Sequence, residues 1–350
     1  MNDGNIPKPL SLDDTKPTKQ QLHEAYEVAL RLWQLQPWDM PMGENQLLAV
    51  EYANGRRCVI SVLGEYGEHH ALTVYPDVAS YERIAAIPPD DELRIQDAFF
   101  SIYQRQIAFL KASQLPRGGR AAFKASGVRF PRGINPSLES YMPGYEPVMM
   151  GGRELAETIE DAKTFLDFMA SHSGEDIAIY HGIGSLVSTW RESPDGKWTL
   201  GEDEFSPLFP VAGRISPELL EKVAGLPVNE KFNLEIGALP IPCGRNDSGR
   251  GIMARLMLAV EASSHFAMGT TIVSPPDGRE LDWTPAVDFM LKTMLQFGYR
   301  PRRLAVMGES LKSVASGLCR TTFKGTEFLP HSECDALREV FYLFTEGLGR

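Results

Sequence analysis

The amino-acid sequence predicts a two-domain α+β protein, in which an N-terminal antiparallel meander with helices precedes a C-terminal mixed sheet with helices. The chain of 350 residues is 43% hydrophobic and 23% charged, and a globular chain of this length divides more naturally into two domains than one. A proline-rich stretch, 207–217, separates two series of strand-like and helix-like patterns. We therefore expect a disordered arm over 1–17, an N-terminal domain over 18–205 and a C-terminal domain over 206–350.

The first elements of the N-terminal domain are a helix and an antiparallel meander. Thr18 and Gln21 form a capping-box pattern, after which apolar residues recur at helical spacing. The dipeptide Asn54-Gly55 predicts a hairpin with a type I′ turn, in which both positions require positive φ. The elements expected up to residue 85 are a helix over 18–35, strands over 46–52, 56–63 and 70–75, and a helix over 81–85.

The middle of the chain is less regular. Helix and strand patterns compete between 90 and 130, and prolines and glycines over 131–152 indicate an irregular connection. Apolar side chains at helical spacing then predict a helix over 153–171. The remaining elements expected in this domain are a short strand over 177–180 and a hairpin of strands 186–191 and 197–200.

The C-terminal domain is predicted to follow the order βββαβαβα, after a short helix that Ser216 caps and Pro217 begins. A continuous apolar run over 304–307 is typical of a strand at the centre of a sheet. Gly298 is placed to end the helix that precedes this strand. The predicted strands are 232–239, 255–262, 266–274, 304–307 and 321–328, and the helices are 283–297, 311–318 and 332–347.

Composition excludes several classes of protein. The longest apolar runs are far shorter than the roughly 18 residues of a membrane helix, and the polar start lacks the apolar centre of a secretory signal. Four cysteines are too few and too scattered for a disulfide framework. The motifs of phosphate loops, dinucleotide-binding turns, serine nucleophiles and zinc helices are missing. We expect a cytoplasmic protein with no membrane partner, whose net charge of −11 disfavours non-specific binding to nucleic acid.

Charge is unevenly distributed along the chain. Residues 105–138, the basic island, carry seven basic residues and no acid, whereas residues 139–205 carry 14 acids and 4 bases. Phenylalanines interleave with these cations, a combination that suits a phosphate backbone with stacked bases. The favoured alternative is that the island docks on the acidic stretch of the same chain or of a second copy. The candidate anion-binding residues are Arg117, Arg120, Lys124, Arg129 and Arg132.

Several short motifs resemble an uncharacterised bacterial family in which one domain of unknown function follows another. They are Trp33…Pro37-Trp38, Val62-Leu63-Gly64, Leu72-Thr73-Val74-Tyr75, the run from Ser140 to Pro147, and the run from Tyr299 to Leu304. The resemblance covers most of the chain from about residue 20. It implies two domains and a bacterial cytoplasmic setting, and it carries over no activity or catalytic residue. The C-terminal part is also distantly similar to the RNase H-like core of integrases and transposases, which implies a fold alone.

This second resemblance raises an enzymatic alternative, a metal-dependent nuclease or phosphoryl-transfer enzyme. Such nucleases hold two divalent metals between carboxylates on the first strand, after the fourth strand and on a helix. The catalytic residues under this alternative are Glu261, Glu309 and Asp335, with Glu235 and Glu339 as further acids. No aspartate occupies the first strand, so we favour a non-catalytic use of the fold, without cofactor or metal.

The leading functional hypothesis is therefore a non-catalytic binding or scaffolding protein that acts through a protein partner or self-association. Nucleic acid bound through 105–138 remains an alternative partner. A small-molecule sensor is a weaker third hypothesis. No residue in the sequence distinguishes these partners.

Overall fold

A computed structural model of the chain describes residues 15–40, 46–64, 67, 69–76, 100, 102–116, 118–181, 185–204, 215–246, 249–274, 284–329 and 334–348. At 309, 310, 313 and 344–348 the description covers the backbone alone. The described residues form seven α-helices and two mixed sheets, of eight and five strands. The predicted α+β class is confirmed.

The first sheet is an antiparallel meander that is extended at one end. Its strands are β1 (Leu48–Glu51), β2 (Arg57–Leu63), β3 (His70–Tyr75), β4 (Gln104–Leu110), β5 (Asn135–Tyr141), β6 (Val148–Met149), β7 (Leu186–Glu192) and β8 (Trp198–Glu204). They are ordered β6-β5-β4-β3-β2-β1-β7-β8. Neighbouring strands are antiparallel except β1 and β7, which are parallel.

Three helices pack on one face of this sheet. They are α1 (Lys19–Leu35), α2 (Gly119–Ser126) and α3 (Gly152–Ser171). Alternate strand residues such as Ile60 and Val62 bury their side chains in the same core as the apolar faces of α1 and α3. Thr18 and Gln21 form the predicted capping box, with the Thr18 hydroxyl accepting the Gln21 N–H at 3.1 Å. The predicted first helix is confirmed.

The hairpin between β1 and β2 is confirmed, but its predicted turn type is wrong. The N–H of Tyr52 donates to the carbonyl of Arg56 at 2.9 Å, so three residues form the loop. Gly55 has a φ of 83°, whereas Asn54 is not among the residues with positive φ. This is the turn in which a type I bend ends in a left-handed glycine, and Gly55 alone meets its conformational requirement.

The second sheet lies in the C-terminal part of the chain. Its strands are β9 (Val228–Arg245), β10 (Gly251–Glu261), β11 (Phe266–Val273), β12 (Arg300–Met307) and β13 (Glu327–Leu329). Its helices are α4 (Pro217–Ala224), α5 (Thr284–Phe297), α6 (Glu309–Thr321) and α7 (Asp335–Leu348). The strand order is β11-β10-β9-β12-β13, with β12 parallel to β9 and β13 and the other pairs antiparallel.

Helices cover both faces of the second sheet. On one face, Leu234 and Met257 share a core with α5 and α6. On the other face, Leu258 and Val260 pack against Leu337 of α7. Neighbouring residues of β9 and β10 therefore serve two different cores, as the alternation of a strand requires.

Four expectations from the sequence need correction. The connection over 131–152 contains β5 and β6. The sequence did not predict β5 because several of its buried residues are polar, so no alternating apolar pattern marks the strand. Residues 177–180 form only one bridge, from Gln46 to Ile179. Most of 321–328 is not a strand, because α6 extends to Thr321 and β13 begins at Glu327. Residues 15–17 are part of the folded structure, since the N–H of Gly152 donates to the carbonyl of Thr15 at 2.8 Å.

Two further expectations, the helix over 81–85 and the cap of the last helix at Ser332, lie outside the described residues.

The two sheets meet where the loop after β5 contacts the start of β10. The N–H of Glu146 donates to the carbonyl of Gly251, and the N–H of Met253 donates to the carbonyl of Gly144. A Cβ atom on Gly251 would collide with the Glu146 carboxylate, so a larger residue there would displace that side chain.

Candidate functional site

The basic residues predicted to bind anions include two that line one groove beside α2. Arg120 and Lys124 are four positions apart on this helix, so their side chains leave the same face one turn apart. The groove has a volume of about 470 Å³. Its other lining residues are Ala112, Leu115, Phe123, Gly127, Val128 and Asn135. The structure thus brings two of the five predicted residues together.

Local features of the chain place α2 beside the sheet. Gly127 ends the helix with a φ of 73°, a conformation that glycine adopts without strain. Ala122 is buried in the core that contains α1, whereas Arg120 and Lys124 on the other side of the helix are exposed. The Nδ1 atom of His23 on α1 lies 2.9 Å from the carbonyl oxygen of Ser126. The helix is therefore attached at its inner face and last turn, with its cations outward.

Two hydrogen bonds shape the groove itself. The side-chain amide of Asn135 donates to the carbonyl of Leu110 at 3.1 Å and so joins the start of β5 to the end of β4. Arg120 Nη2 donates to the carbonyl of Ala112 at 2.6 Å, which holds the guanidinium across the groove. A guanidinium has five N–H donors, so this bond leaves most of them for an anion.

Four of the cations predicted to bind anions have no carboxylate partner in the part of the chain that the structure describes. Arg120, Lys124, Arg129 and Arg132 are exposed, and none of them forms an ion pair with a described residue. Arg117, the remaining predicted residue, lies outside the described residues. These four exposed cations lie within one short stretch of a chain that is acidic as a whole.

Arg105 does not belong to this exposed surface, although it lies in the basic island of the sequence. Its side chain is 5% exposed and donates to Asp161 at 3.0 Å and to Glu157 at 2.6 Å, both on α3. Arg56 donates to the other oxygen of Asp161 at 2.6 Å. The expected docking of the island on the acidic stretch 139–205 of the same chain is therefore seen at Arg105.

The phenylalanines of the island are partly buried against other rings of the first domain. Phe123 contacts Tyr26 of α1, with ring centroids 5.2 Å apart, and contacts Phe130 at 5.6 Å. Phe109 packs against Trp33 at 5.1 Å. All three phenylalanines lie against the main core of the first sheet. The cations are thus exposed and the three rings partly buried, and Phe123 lines the groove beside Arg120 and Lys124.

Among the predicted catalytic acids, Glu261 is engaged in a turn. Its carboxylate accepts hydrogen bonds from the backbone N–H and hydroxyl groups of both Ser263 and Ser264, at 2.6 to 3.2 Å. Burial alone would raise the pKa of this carboxyl, but these donors outweigh it and lower the pKa. This arrangement closes the tight connection between β10 and β11.

The acids near α7 are also occupied locally. Oε2 of the buried Glu235 accepts the N–H of Leu337 at 2.7 Å, in the first turn of α7. Burial raises the pKa of Glu235, and the neighbouring Asp335 raises it further. Asp335 is exposed, and Glu339 lies 3.0 Å from the Nδ1 atom of His265. Glu235 therefore acts as a helix cap supplied by a strand.

Glu261 and the acids of α7 belong to opposite faces of the second sheet. Val260 faces α7, and Glu261 follows it on the strand beside Leu234, which lies in the core under α5 and α6. Glu309 begins α6, and its side chain lies outside the description. Over the described residues, no three His, Cys, Asp or Glu side chains group as a metal site. The structure does not bring Glu261 together with Asp335.

The sequence did not predict helix α2, which forms one side of the groove, or the buried Asp161 that pairs with Arg105. The bracketing of 119–126 by Gly118 and Gly127 was an available sign of a short helix. Asp161 gave no such sign, because its partners Arg56 and Arg105 are more than fifty positions away in the chain.

The fold and groove together define a two-domain α+β protein with an exposed basic groove on its first domain. Residues 23–176 match a family model described as a domain of unknown function, DUF7309, and residues 219–324 match a second, DUF6930. The chain is therefore a two-domain protein in which these two domains of unknown function follow one another, as the resemblance implied. No curated protein and no solved structure matches the chain. None of the helices in the described residues has the length and apolar character needed to cross a membrane.

Proposed function

We propose that this protein is a non-catalytic binding protein whose α2 groove holds the carboxylates of an acidic protein segment. One observation carries the proposal: Arg120 and Lys124 line the same groove, and neither has an acidic partner among the described residues. A volume of about 470 Å³ is in the range of sites that hold small molecules or side chains. The planar guanidinium of Arg120 suits the two oxygens of one carboxylate, and Lys124 adds a second charge one turn away.

We favour an acidic protein segment over nucleic acid as the partner. Single-stranded nucleic acid is usually bound by cations together with several exposed aromatic rings, whereas Phe109, Phe123 and Phe130 are all partly buried against the core and only Phe123 lines the groove. The net charge of −11 also opposes a long polyanion, because the rest of the surface would repel it. A short acidic segment engages the groove alone and avoids most of this repulsion.

The test compares two labelled polyanions of similar charge, an oligoglutamate peptide and a single-stranded oligonucleotide, by fluorescence anisotropy. We expect the peptide to bind in low salt, and the double variant Arg120→Gln/Lys124→Gln to lose at least tenfold in affinity, since each charged contact contributes about 1.5–3 kcal/mol. The matched control Lys231→Gln/Lys324→Gln removes two exposed charges from the second domain and should bind like the wild type. Absence of peptide binding, or equal binding by both double variants, would refute the proposal. Tighter binding of the oligonucleotide than of the peptide would show that the groove prefers nucleic acid to an acidic protein segment.

We further propose that residues 206–350 form an RNase H-like core without nuclease activity, and that the first domain spans 18–205. The strand order β11-β10-β9-β12-β13, with β9 parallel to β12, supports the core. The last strand of the first sheet ends at Glu204 and α4 begins at Pro217, which supports the boundary. The engagement of Glu261 in its turn supports a non-catalytic use of the fold.

A bacterial cytoplasmic setting completes the proposal, and the lack of a disulfide among the four cysteines supports a reducing compartment.

A further inference from the structure

The four edge strands of the two sheets differ in how they are protected against pairing. Strand β6 has two residues and β13 has three, so neither offers a long edge. Strand β8 has seven residues and ends in three acids, Glu202, Asp203 and Glu204. Strand β11 has eight residues, FAMGTTIV, with neither a charge nor a proline. Among the described strands, β11 is therefore the long edge that lacks the usual protection.

The edge of β11 is exposed as well as uncharged. Phe266 is 61% exposed and Ile272 is 54% exposed, and Thr270 between them is exposed too. Met268 and Val273 instead point into the core under α5, so the strand itself is held firmly. An apolar edge that is rigid and open presents a row of unpaired backbone N–H and C=O groups to any strand of suitable sequence.

The backbone of this edge is regular where it matters for pairing. A register shift beside Ala259 distorts the pairing of β10 with β11 near Phe266. From Gly269 to Val273 the two strands then pair without interruption. Bulges and twists can protect an edge, but this one leaves five consecutive residues in regular geometry.

We propose that a second copy of this chain pairs with β11 in an antiparallel, two-fold symmetric manner. Each copy carries a net charge of −11, so two copies repel one another over most of their surfaces. Strand β11 carries no charge, and pairing there avoids the acids that would meet if two β8 edges approached. An antiparallel pair also places the same apolar residues of both copies in one interface, as two-fold symmetry requires. The two five-stranded sheets become one sheet of ten strands.

This interface lies in the second sheet and is independent of the α2 groove in the first. Sedimentation velocity of the full chain is expected to give twice the chain mass of 38.9 kDa at high concentration, with dissociation on dilution. Ile272→Lys and Thr270→Lys should each shift the protein to monomer, because each adds a like charge from both copies to the uncharged interface. The matched control Thr199→Lys adds the same charge to an exposed position of the β8 edge and should leave the dimer unchanged.

A second measurement tests the proposal without a variant. Hydrogen exchange of the wild type should be slow for the outward amides of 269–273 at high protein concentration and faster after dilution, while exchange over 198–204 stays constant. A monomer at every concentration, or a dimer that survives Ile272→Lys with normal circular dichroism, would overturn the proposal. If either lysine variant fails to fold, concentration-independent exchange over 269–273 would overturn it equally.

Discussion

Arg105 and Asp161 form a buried ion pair between β4 and α3, with the guanidinium Nη2 donating to the carboxylate at 3.0 Å. The side chain of Asp161 is fully buried and that of Arg105 is 5% exposed. The other oxygen of Asp161 accepts from Arg56 and from the hydroxyl of Tyr52, at 2.6 and 2.7 Å. The Arg56 guanidinium in turn lies 3.8 Å from the centre of the Tyr52 ring. One carboxylate of α3 thus joins the turn between β1 and β2 to β4.

The ion pair predicts a large effect when one partner is removed. Asp161→Asn should lower the free energy of unfolding by about 3–5 kcal/mol, because it removes the buried charge partner of Arg105 and leaves it only Glu157, whose side chain is 39% exposed. Urea denaturation measures this change. Glu160→Gln is the matched control, since Glu160 binds Arg56 from a position that is 54% exposed, and it should cost less than ~1 kcal/mol. An equal loss in free energy of unfolding for Asp161→Asn and Glu160→Gln would contradict a special role for the buried ion pair.

A double variant separates the pair from its packing. Arg105→Met together with Asp161→Leu should be closer to the wild type than Asp161→Asn alone, because no buried charge at either position then lacks a partner. If the double variant is less stable than both the wild type and Asp161→Asn, the hydrogen bonds and ion pairs of this network contribute net stability, and an unpaired buried charge is not the main cause of the loss.

Glu235 predicts a pH dependence of stability. Burial raises its pKa in the folded protein above the ordinary 4.5 of the unfolded chain. The folded state therefore binds the proton more tightly, and the resulting stabilisation is complete below pH 4.5 and is lost as the pH rises through the folded pKa. Glu235→Gln keeps an oxygen acceptor for the Leu337 N–H and has no charge to desolvate. We expect it to flatten this part of the profile and to raise stability at neutral pH relative to the wild type. Denaturant unfolding of both proteins below pH 4.5 and at neutral pH measures this effect. The same difference in free energy of unfolding between the two proteins at both pH values would contradict it.

Glu261 predicts an effect on stability rather than on catalysis. Glu261→Ala removes the acceptor for four donor groups of Ser263 and Ser264, and we expect a loss of about 1–2 kcal/mol because those groups can turn to water. The same samples, incubated with labelled nucleic acid and Mg²⁺ or Mn²⁺, should show no strand cleavage. Cleavage by the wild type that disappears in Glu309→Gln would establish the nuclease alternative instead.

The cysteines should differ in reactivity according to burial. Burial raises the pKa of the Cys58 thiol well above its ordinary value, with Asp161 adding to the shift, and burial raises the pKa of Cys319 to about 11. Cys243 is exposed. Since the thiolate is the reactive form, alkylation at mildly alkaline pH should label Cys243 first, Cys319 slowly and Cys58 only after unfolding. Peptide mass spectrometry gives the order, and early labelling of Cys58 would show that the first core opens in the native state.

Local elements of this fold were accessible from the sequence. The capping box of α1, the strand over 70–75 and the cap of α4 at Ser216 all depend on residues within a few positions of one another. The type of the turn at Gly55 was not accessible, because loop length depends on the register of β1 against β2. Strand β5 was missed for a related reason: its pairing with β4 sets it, and its polar buried residues give no apolar alternation.

The candidate groove was accessible only in part. The absence of acids over 105–138 pointed to an anion site, and the structure places Arg120 and Lys124 in one groove. Nothing local distinguished these two residues from Arg105, which is buried. The difference arises because Arg105 lies on a strand that faces α3, and a strand-to-helix contact across more than fifty residues has no local pattern.

The sequence by itself determined the fold class, most helices and strands, the basic island and the lack of charge in 266–273. Each follows from propensity, periodicity or composition within one segment. The tertiary structure alone decided which cations stay exposed, which faces Glu235 and Glu261 occupy, and which strands become edges. These outcomes depend on pairings between distant segments, where burial and partner choice are set by the packing of the whole domain.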